Sequence, residues 1–488
     1  MNWQNMWRLA KSDYVKLVPI LALAFYIVFI PHLTYPYPVH IDEWVHMAFS
    51  NGILSEGGVD LANPFSGAPM VLSHKLEVGF QLFWGVFQQI SGISWANIFR
   101  YFPSIVFVIT VLSVYVMAKR EGFGWEAALF TCLIPTNVGI MGPALLVPVS
   151  MALLFAPLCL YVAFNFRTVW SYLLLFVLVC FLISIHGPSA ICVILILLPY
   201  IILNLRGNVR HSLGMTLALF GPFLLTLPLT HELALSYGQS LLGAQPPSVG
   251  RDLPSIMLDY GYLVMLSCIL GIFGLALRGG KKNYSLVLGL LVMSVMLATF
   301  YTIHYGMLII YVRGLLFAML MMGIIAGAGL MEVRRFRLPE KISLRLKVPL
   351  VITQNVGLIL CLVLIGFTLA TAIPSRLDEP YYHMIDHADY EAFVWIKENV
   401  GDDYEKAILD PWKATAFTAI TGKHIHTRIH FSARDKDREA YAFLKSGCVD
   451  TTFLNENGIT IVYNRAVCSN PNLVEVRKNV YLLKEVED

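Results

Sequence analysis

Long runs of apolar side chains recur from Leu17 to Ile373, and they constrain this chain more than any other feature. About 20 mostly apolar residues are needed to cross the hydrocarbon of a bilayer. Runs of that kind lie at 16–34, 98–118, 125–142, 144–164, 170–185, 187–203, 212–229, 257–277, 284–303, 309–331 and 350–373, which predicts about 11 spans. Composition agrees: 57% of residues are hydrophobic, only 14% are charged, and the mean hydropathy is +0.66, too apolar for a soluble globular protein. From Pro374 to Asp488 the density of charge is ordinary and no such run occurs. The expected architecture is an α-helical polytopic membrane domain, residues 1–373, followed by a small α/β soluble domain, residues 374–488.

Charge assigns the topology. A formal charge of +3 is too small for a nucleic-acid binder, and the basic residues sit in short clusters between apolar runs. Arg8, Lys11 and Lys16 precede the first run, so the positive-inside rule places the N-terminus in the cytoplasm. Lys119 and Arg120, Arg167, Arg206 and Arg210, Arg278 with Lys281 and Lys282, and the cluster from Arg334 to Lys347 then all fall inside. No small-residue cleavage site comes after the first run, which reads as a signal anchor in the cell membrane. The parity holds only if residues 76–91, with Glu77, Gln81, Gln88 and Gln89, lie in the outer interface as an amphipathic helix. The first outer loop, 35–97, is then long, and the C-terminal domain is extracytoplasmic.

In that domain the pattern predicts helices at 389–399, 412–421 and 434–445, and strands at 407–409, 459–463 and 480–483. Six of the eight cysteines lie in apolar runs, where Cys is a small core residue. Cys448 and Cys468 lie in the soluble part, as a disulfide or as two free thiols.

The segment Tyr35-Pro-Tyr-Pro-Val-His-Ile-Asp-Glu-Trp-Val-His46 leaves the first span and enters a helical pattern, crowding two histidines and two carboxylates together. On a helix Asp42 and His46 share a face, while Glu43 is turned away by about 100°. Only one of the two carboxylates can therefore lead. Two readings stand: an acidic cap for the following helix, or a functional group at the membrane boundary.

With those residues in view, the chain resembles the membrane-embedded C-type glycosyltransferases (GT-C) that use polyprenyl-phosphate sugars, including protein O-mannosyltransferases and lipid A aminoarabinose transferases. The resemblance rests on Asp42-Glu43 after the first span, the interfacial helix, Arg100 in Phe-Arg-Tyr-Phe-Pro-Ser, and Lys119-Arg120 closing the second span. The run Ala-Phe-Val-Trp-Ile-Lys-Glu-Asn, with Asp410-Pro-Trp and Thr421-Gly, looks like the outer domain of archaeal members. It implies a glycosyltransferase with a polyprenyl (dolichyl) phosphate or diphosphate donor and a protein, lipid or glycan acceptor. Asp42 would be the general base and Glu43 its support, with His40 and His46 beside them. Arg313 would contact the phosphate or anchor its helix in the interface. Arg100 and Lys75 are further cations on the outer side, and His186, in Ile-His-Gly-Pro-Ser, either lines the cavity or makes a polar turn. Glu232, Arg251 and Asp252 fall in an outer loop, 230–256.

Two features of oligosaccharyltransferases in that superfamily are missing. Residues 137–150 hold no acid, and no Trp-Trp pair occurs, which argues against sequon-directed transfer and against a carboxylate-bound divalent metal. His40, Asp42, Glu43 and His46 are residue types that suit zinc, but in no recognised spacing, and no cofactor is expected. Two rivals remain open: a transporter or flippase of a lipid-linked substrate, and an assembly protein in which Asp42 only caps a helix.

Overall fold

The computed structural model describes residues 13–58, 62–69, 77–241, 259–306, 308–337, 350–378, 381–429 and 434–484. Two compact units emerge, one from 1–33 with 101–380, the other from 34–100 with 381–488.

The helices run in chain order α1 (Asp13–Phe29), α2 (Ile41–Glu56), α3 (Val78–Ser91), α4 (Trp95–Lys119), α5 (Gly124–Cys132), α6 (Pro148–Leu153), α7 (Phe155–Asn165), α8 (Val169–Leu205), α9 (Val209–Leu241), α10 (Tyr262–Arg278), α11 (Lys281–Ile303), α12 (Leu308–Arg335) and α13 (Leu350–Leu377). Among the described residues eight helices are long and apolar enough to span a bilayer, and this is a multi-pass membrane protein. Eleven runs become eight such helices for local reasons. The run at 125–142 makes only the nine-residue α5, because Pro135, Gly142 and Pro143 interrupt any continuation of the helix. The runs at 170–185 and 187–203 form two helices that meet at His186, whose φ −161° and ψ 95° are not helical, just before Gly187-Pro188, and are counted together as α8. The run at 257–277 yields α10, at 17 residues slightly short of a full span.

The membrane unit is organised around α12, which is buried almost continuously from Gly314 to Met331. Its closest neighbour is α10, and glycine makes that approach possible. A Cβ on Gly271 would stand 1.9 Å from the Ile325 carbonyl oxygen, and one on Gly329 would stand 1.9 Å from that of Ser267. The two backbones thus touch directly, as small residues permit where no hydrophobic drive separates helix from lipid. Arg376, on α13, is buried and donates from Nη2 to the carbonyls of Leu133 and Asp259, each at 3.0 Å, closing the open C-terminal end of α5.

The second unit combines α2 and α3 with an α/β part: α14 (His387–Asn399), β1 (Lys406–Ile408), α15 (Ala414–Thr421), β2 (His424–Ile425), α16 (Arg434–Lys445), α17 (Thr451–Glu456), β3 (Ile461–Tyr463), β4 (Leu473–Arg477) and β5 (Val480–Leu483). Strand order is β2-β1-β3-β5-β4, parallel across β2, β1 and β3 and antiparallel beyond. Ile408, Ala440, Phe443, Leu454, Val462 and Tyr481 belong to one core, into which the Cys448–Cys468 disulfide is built. A bridge over 20 residues of sequence contributes about 3 kcal/mol in the chain-entropy view.

The first loop is packed into this unit. Ile425 N–H, on the edge strand β2, donates to the Phe65 carbonyl at 3.0 Å, and Asn51 Nδ2 donates to the Ala419 carbonyl at 3.1 Å. Tyr35 donates its hydroxyl to the Ile385 carbonyl at 2.8 Å, and Tyr37 stacks on Tyr390 at 4.9 Å. The helix expected in the interface is α3. It buries Phe80 and Trp84 and exposes Leu82, Phe83, Val86 and Ile90, the apolar outer stripe that a helix lying on a membrane requires.

Candidate functional site

The extended stretch Tyr35-Pro-Tyr-Pro cannot enter a helix, because proline biases the residue before it toward extended backbone. Helix α2 accordingly starts only at Ile41, with His40 as its cap at φ −143° and ψ 152°. Glu43 closes a capping box: its Oε2 accepts from the backbone N–H of Val39 at 2.7 Å and of His40 at 3.2 Å, and the residue is fully buried. Its carboxylate is thus engaged in starting the helix.

Asp42, one position earlier, remains open to solvent, with 40% of its side chain exposed. It lies in the first turn of α2, where unpaired N–H groups favour a negative charge. His40 Nδ1 sits 3.8 Å from its carboxylate, yet that nitrogen accepts the Asp42 backbone N–H at 3.1 Å. With Nδ1 accepting that N–H, the His40 ring serves as the helix cap. His46 is also buried, its Nε2 4.0 Å from Glu77 Oε2 and its ring 5.0 Å from Phe80, and it ties α2 to α3.

A cation whose charge is felt at Asp42 comes from a distant part of the chain. Arg428, just past β2, lies with its guanidinium 4.2 Å over the Phe65 ring. Burial lowers its affinity for a proton, and the negative charge of Asp42 pulls the other way. Sequence reading missed this residue, since no local pattern ties position 428 to position 42. Among the described residues no group of three or more His, Cys, Asp and Glu side chains is gathered as a metal would need.

Two clefts flank this region of the unit. One, of about 770 Å³, is lined by Trp44, Asn51 and Ser55 of α2 together with Trp95 and Tyr390. At 100° per residue those α2 positions lie on the face opposite Asp42. The other, of about 550 Å³, holds Tyr35, His383, Asp386, Asp389, Lys413 and Arg465. There the buried Asp389 accepts from Lys413 Nζ at 2.8 Å, from Tyr463 hydroxyl at 2.6 Å and from Arg465 Nη2 at 2.8 Å. Arg465 also binds Asp386 at 2.5 Å and, with the Asp389 backbone N–H, holds that carboxyl down to about 2. With every charge answered by another, this network reads as structural.

Of the other sequence candidates, Arg100 is half-buried on α4 in the second unit, whereas His186 and Arg313 belong to the membrane unit. His186 is buried at the kink of α8, with its Nδ1 2.7 Å from Ser189 Oγ and accepting the Ser189 N–H at 3.3 Å, the arrangement of a helix cap. Arg313 is half-buried near the start of α12. Glu232 is exposed on α9. Lys75, Arg251 and Asp252 lie outside the described residues. The acid-free stretch 137–150 receives a carboxylate through space, for Asn137 Nδ2 donates to Asp259 Oδ2 at 2.7 Å.

A set of bilayer-length helices, an amphipathic helix in a long first loop and an α/β domain define a polytopic membrane protein with the GT-C fold. Known structures of this class superpose along most of the chain. The archaeal oligosaccharyltransferase AglB from Archaeoglobus fulgidus, in complex with an inhibitory peptide and a dolichol-phosphate, gives a TM-score of 0.63 at 11% identity over 94% of this chain and 70% of its own. ArnT from Cupriavidus metallidurans bound to undecaprenyl phosphate gives 0.51 at 12% identity over 98% of both chains. The arabinofuranosyltransferase AftD from Mycobacteria gives 0.58 at 15% identity over 94% of this chain, which spans 37% of AftD. No protein-family profile and no curated protein matches the sequence. At these identities the likeness is one of fold.

Proposed function

We propose that this protein is a glycosyltransferase that moves a sugar from a polyprenyl (dolichyl) phosphate or diphosphate to an acceptor hydroxyl at the outer face of the cell membrane, with Asp42 as general base. The observation that carries this reading is the division of labour within one helical turn. Glu43 is buried and caps α2, while Asp42 keeps 40% of its side chain open to solvent within the electrostatic influence of Arg428. The orientation rests on the basic clusters and on an odd number of crossings, the two helices of α8 each counting as one: the N-terminus is then cytoplasmic and residues 374–488 lie outside. The donor class rests on the dolichol-phosphate held by AglB and the undecaprenyl phosphate held by ArnT.

In this reaction Asp42 takes the proton of the acceptor hydroxyl as its oxygen attacks the anomeric carbon. The bond from that carbon to the carrier phosphate breaks, and the phosphate leaves with the electron pair. Cations offset the charge that develops on it. Arg313 is assigned to that role, with Arg100 and Lys75 as further candidates. Arg428 orients Asp42. His40 and His46 hold α2 in place, and His186 holds the kink of α8.

The test is sugar transfer in membranes from a polyprenyl-phosphate donor, comparing wild type with Asp42→Asn and Asp42→Ala. Loss of a positioned general base lowers turnover by about 10²–10⁴-fold. Full activity in Asp42→Asn removes the assignment. A chain that moves the lipid between leaflets without forming a glycosylated product is a flippase, and the proposal fails.

A further inference from the structure

Where α10, α12 and α13 approach one another at the basic end of the membrane unit, a groove of about 750 Å³ opens, and neither the catalytic reading nor the comparisons account for it. Its walls are apolar: Phe273 and Leu277 from α10, Phe336 just past α12, and Leu360 from α13. All four are exposed, Leu277 to 88%. Its floor is charged. Arg278 pairs with Glu332 at 2.5 Å, and nearby Arg334 pairs with the buried Glu126 at 2.8 Å. These two pairs use up both acids, and Arg335, which lines the groove, is exposed with no ion pair among the described residues. The groove therefore carries net positive charge on an apolar frame.

We infer that this groove binds an acidic phospholipid, with its phosphate at Arg335 and Arg278 and its acyl chains along Phe273, Leu277 and Leu360. A basic pocket between spanning helices matches such a headgroup in charge, and the apolar walls continue the contact into the hydrocarbon. A soluble anion would leave those walls exposed, and a zwitterionic lipid would leave the net charge unanswered. The site is far in sequence from Asp42 and needs no sugar chemistry, so it stands or falls apart from the proposed transferase activity.

The experiment is native mass spectrometry of the full chain in detergent, titrated separately with phosphatidylglycerol and phosphatidylcholine. Wild type is expected to retain phosphatidylglycerol at about 5-fold lower concentration, the size of one cation's contribution near a membrane surface. Arg335→Gln abolishes the preference without changing phosphatidylcholine, and Arg335→Lys keeps it. Arg337, two residues on, is exposed and does not line the groove, so Arg337→Gln leaves the preference intact. Equal retention of the two lipids by wild type overturns the inference. So does an effect of Arg337→Gln as large as that of Arg335→Gln, because binding is then diffuse attraction to a basic surface.

Discussion

The two compact units hold together by different means. In the membrane unit, α10 and α12 meet backbone to backbone at Gly271 and Gly329, and almost every residue from Gly314 to Met331 is buried. In the second unit the joints are polar and directional: the first loop is fastened by the Phe65 carbonyl, Asn51 and Tyr35, and α14 is fastened through Asp389 to Lys413, Tyr463 and Arg465. Lipid offers no competing hydrogen bonds and little hydrophobic drive, so shape decides packing there. Water competes for every polar group in the second unit, so charges are buried only in fully answered sets. Asp42, half-buried in the first turn of α2 beside the fully buried Glu43, keeps 40% of its side chain open to solvent and is the candidate for chemistry.

The contrast can be broken at several points. The largest effect is expected at the helix contact. Gly271→Val places a branched side chain where even a Cβ meets a carbonyl oxygen at 1.9 Å, and a loss beyond about 4 kcal/mol should abolish monodisperse protein on gel filtration. Gly366→Ala, where a Cβ meets nothing within 4 Å, should leave elution unchanged or raise the melting temperature through helix propensity. Equal tolerance at both positions would remove shape as the organising force of this unit.

Next comes the polar network. Asp389→Ala leaves Lys413 and Arg465 without their shared carboxylate, and breaking such a buried set costs about 3 kcal/mol. Limited proteolysis of the full chain should then cut within 381–484 while the membrane helices stay resistant.

A comparable effect is expected from pH. Burial, aided by Lys406 and Lys436, lowers His426 to about 4 in the folded protein, and Glu439, 3.8 Å away but more than half exposed, does not offset it. The folded state therefore holds a neutral imidazole while the unfolded chain takes up a proton near pH 6.5. Stability is fully present above about pH 6.5 and falls as pH drops from there to about 4, by about 3 kcal/mol in all. His426→Phe should flatten thermal melting of the second unit across that window. An unchanged slope would show that other groups control it.

Legibility in the sequence divides along the same line. Apolar runs are local, so the membrane helices, the α/β domain and helix α16 at 434–445 could be read from periodicity and composition. The 100° between Asp42 and Glu43 already separated their roles, and the structure supplies the reason, since Glu43 caps the helix. What periodicity does not carry is pairing across distance. Arg428 feels the charge of Asp42 over hundreds of residues, Phe65 accepts a hydrogen bond from Ile425 at the edge strand, and Asp259 brings a carboxylate to a stretch that has none of its own. The run at 125–142 misled for a local reason: the apolar residues on both sides of Pro135 read as one run, while a helix cannot continue through that proline.

The central claim is that two adjacent carboxylates have divided chemistry from structure, Asp42 keeping the first and Glu43 the second. The direct measurement is sugar transfer and thermal melting on the same preparations of Asp42→Asn and Glu43→Ala. Asp42→Asn should lose about 10²–10⁴-fold in turnover with its melting temperature unchanged. Glu43→Ala leaves the Val39 and His40 N–H groups without their acceptor, costs about 1–3 kcal/mol, and should lower melting while retaining much of its activity at low temperature. The reverse pattern, with transfer lost at Glu43 and kept at Asp42, would contradict the account.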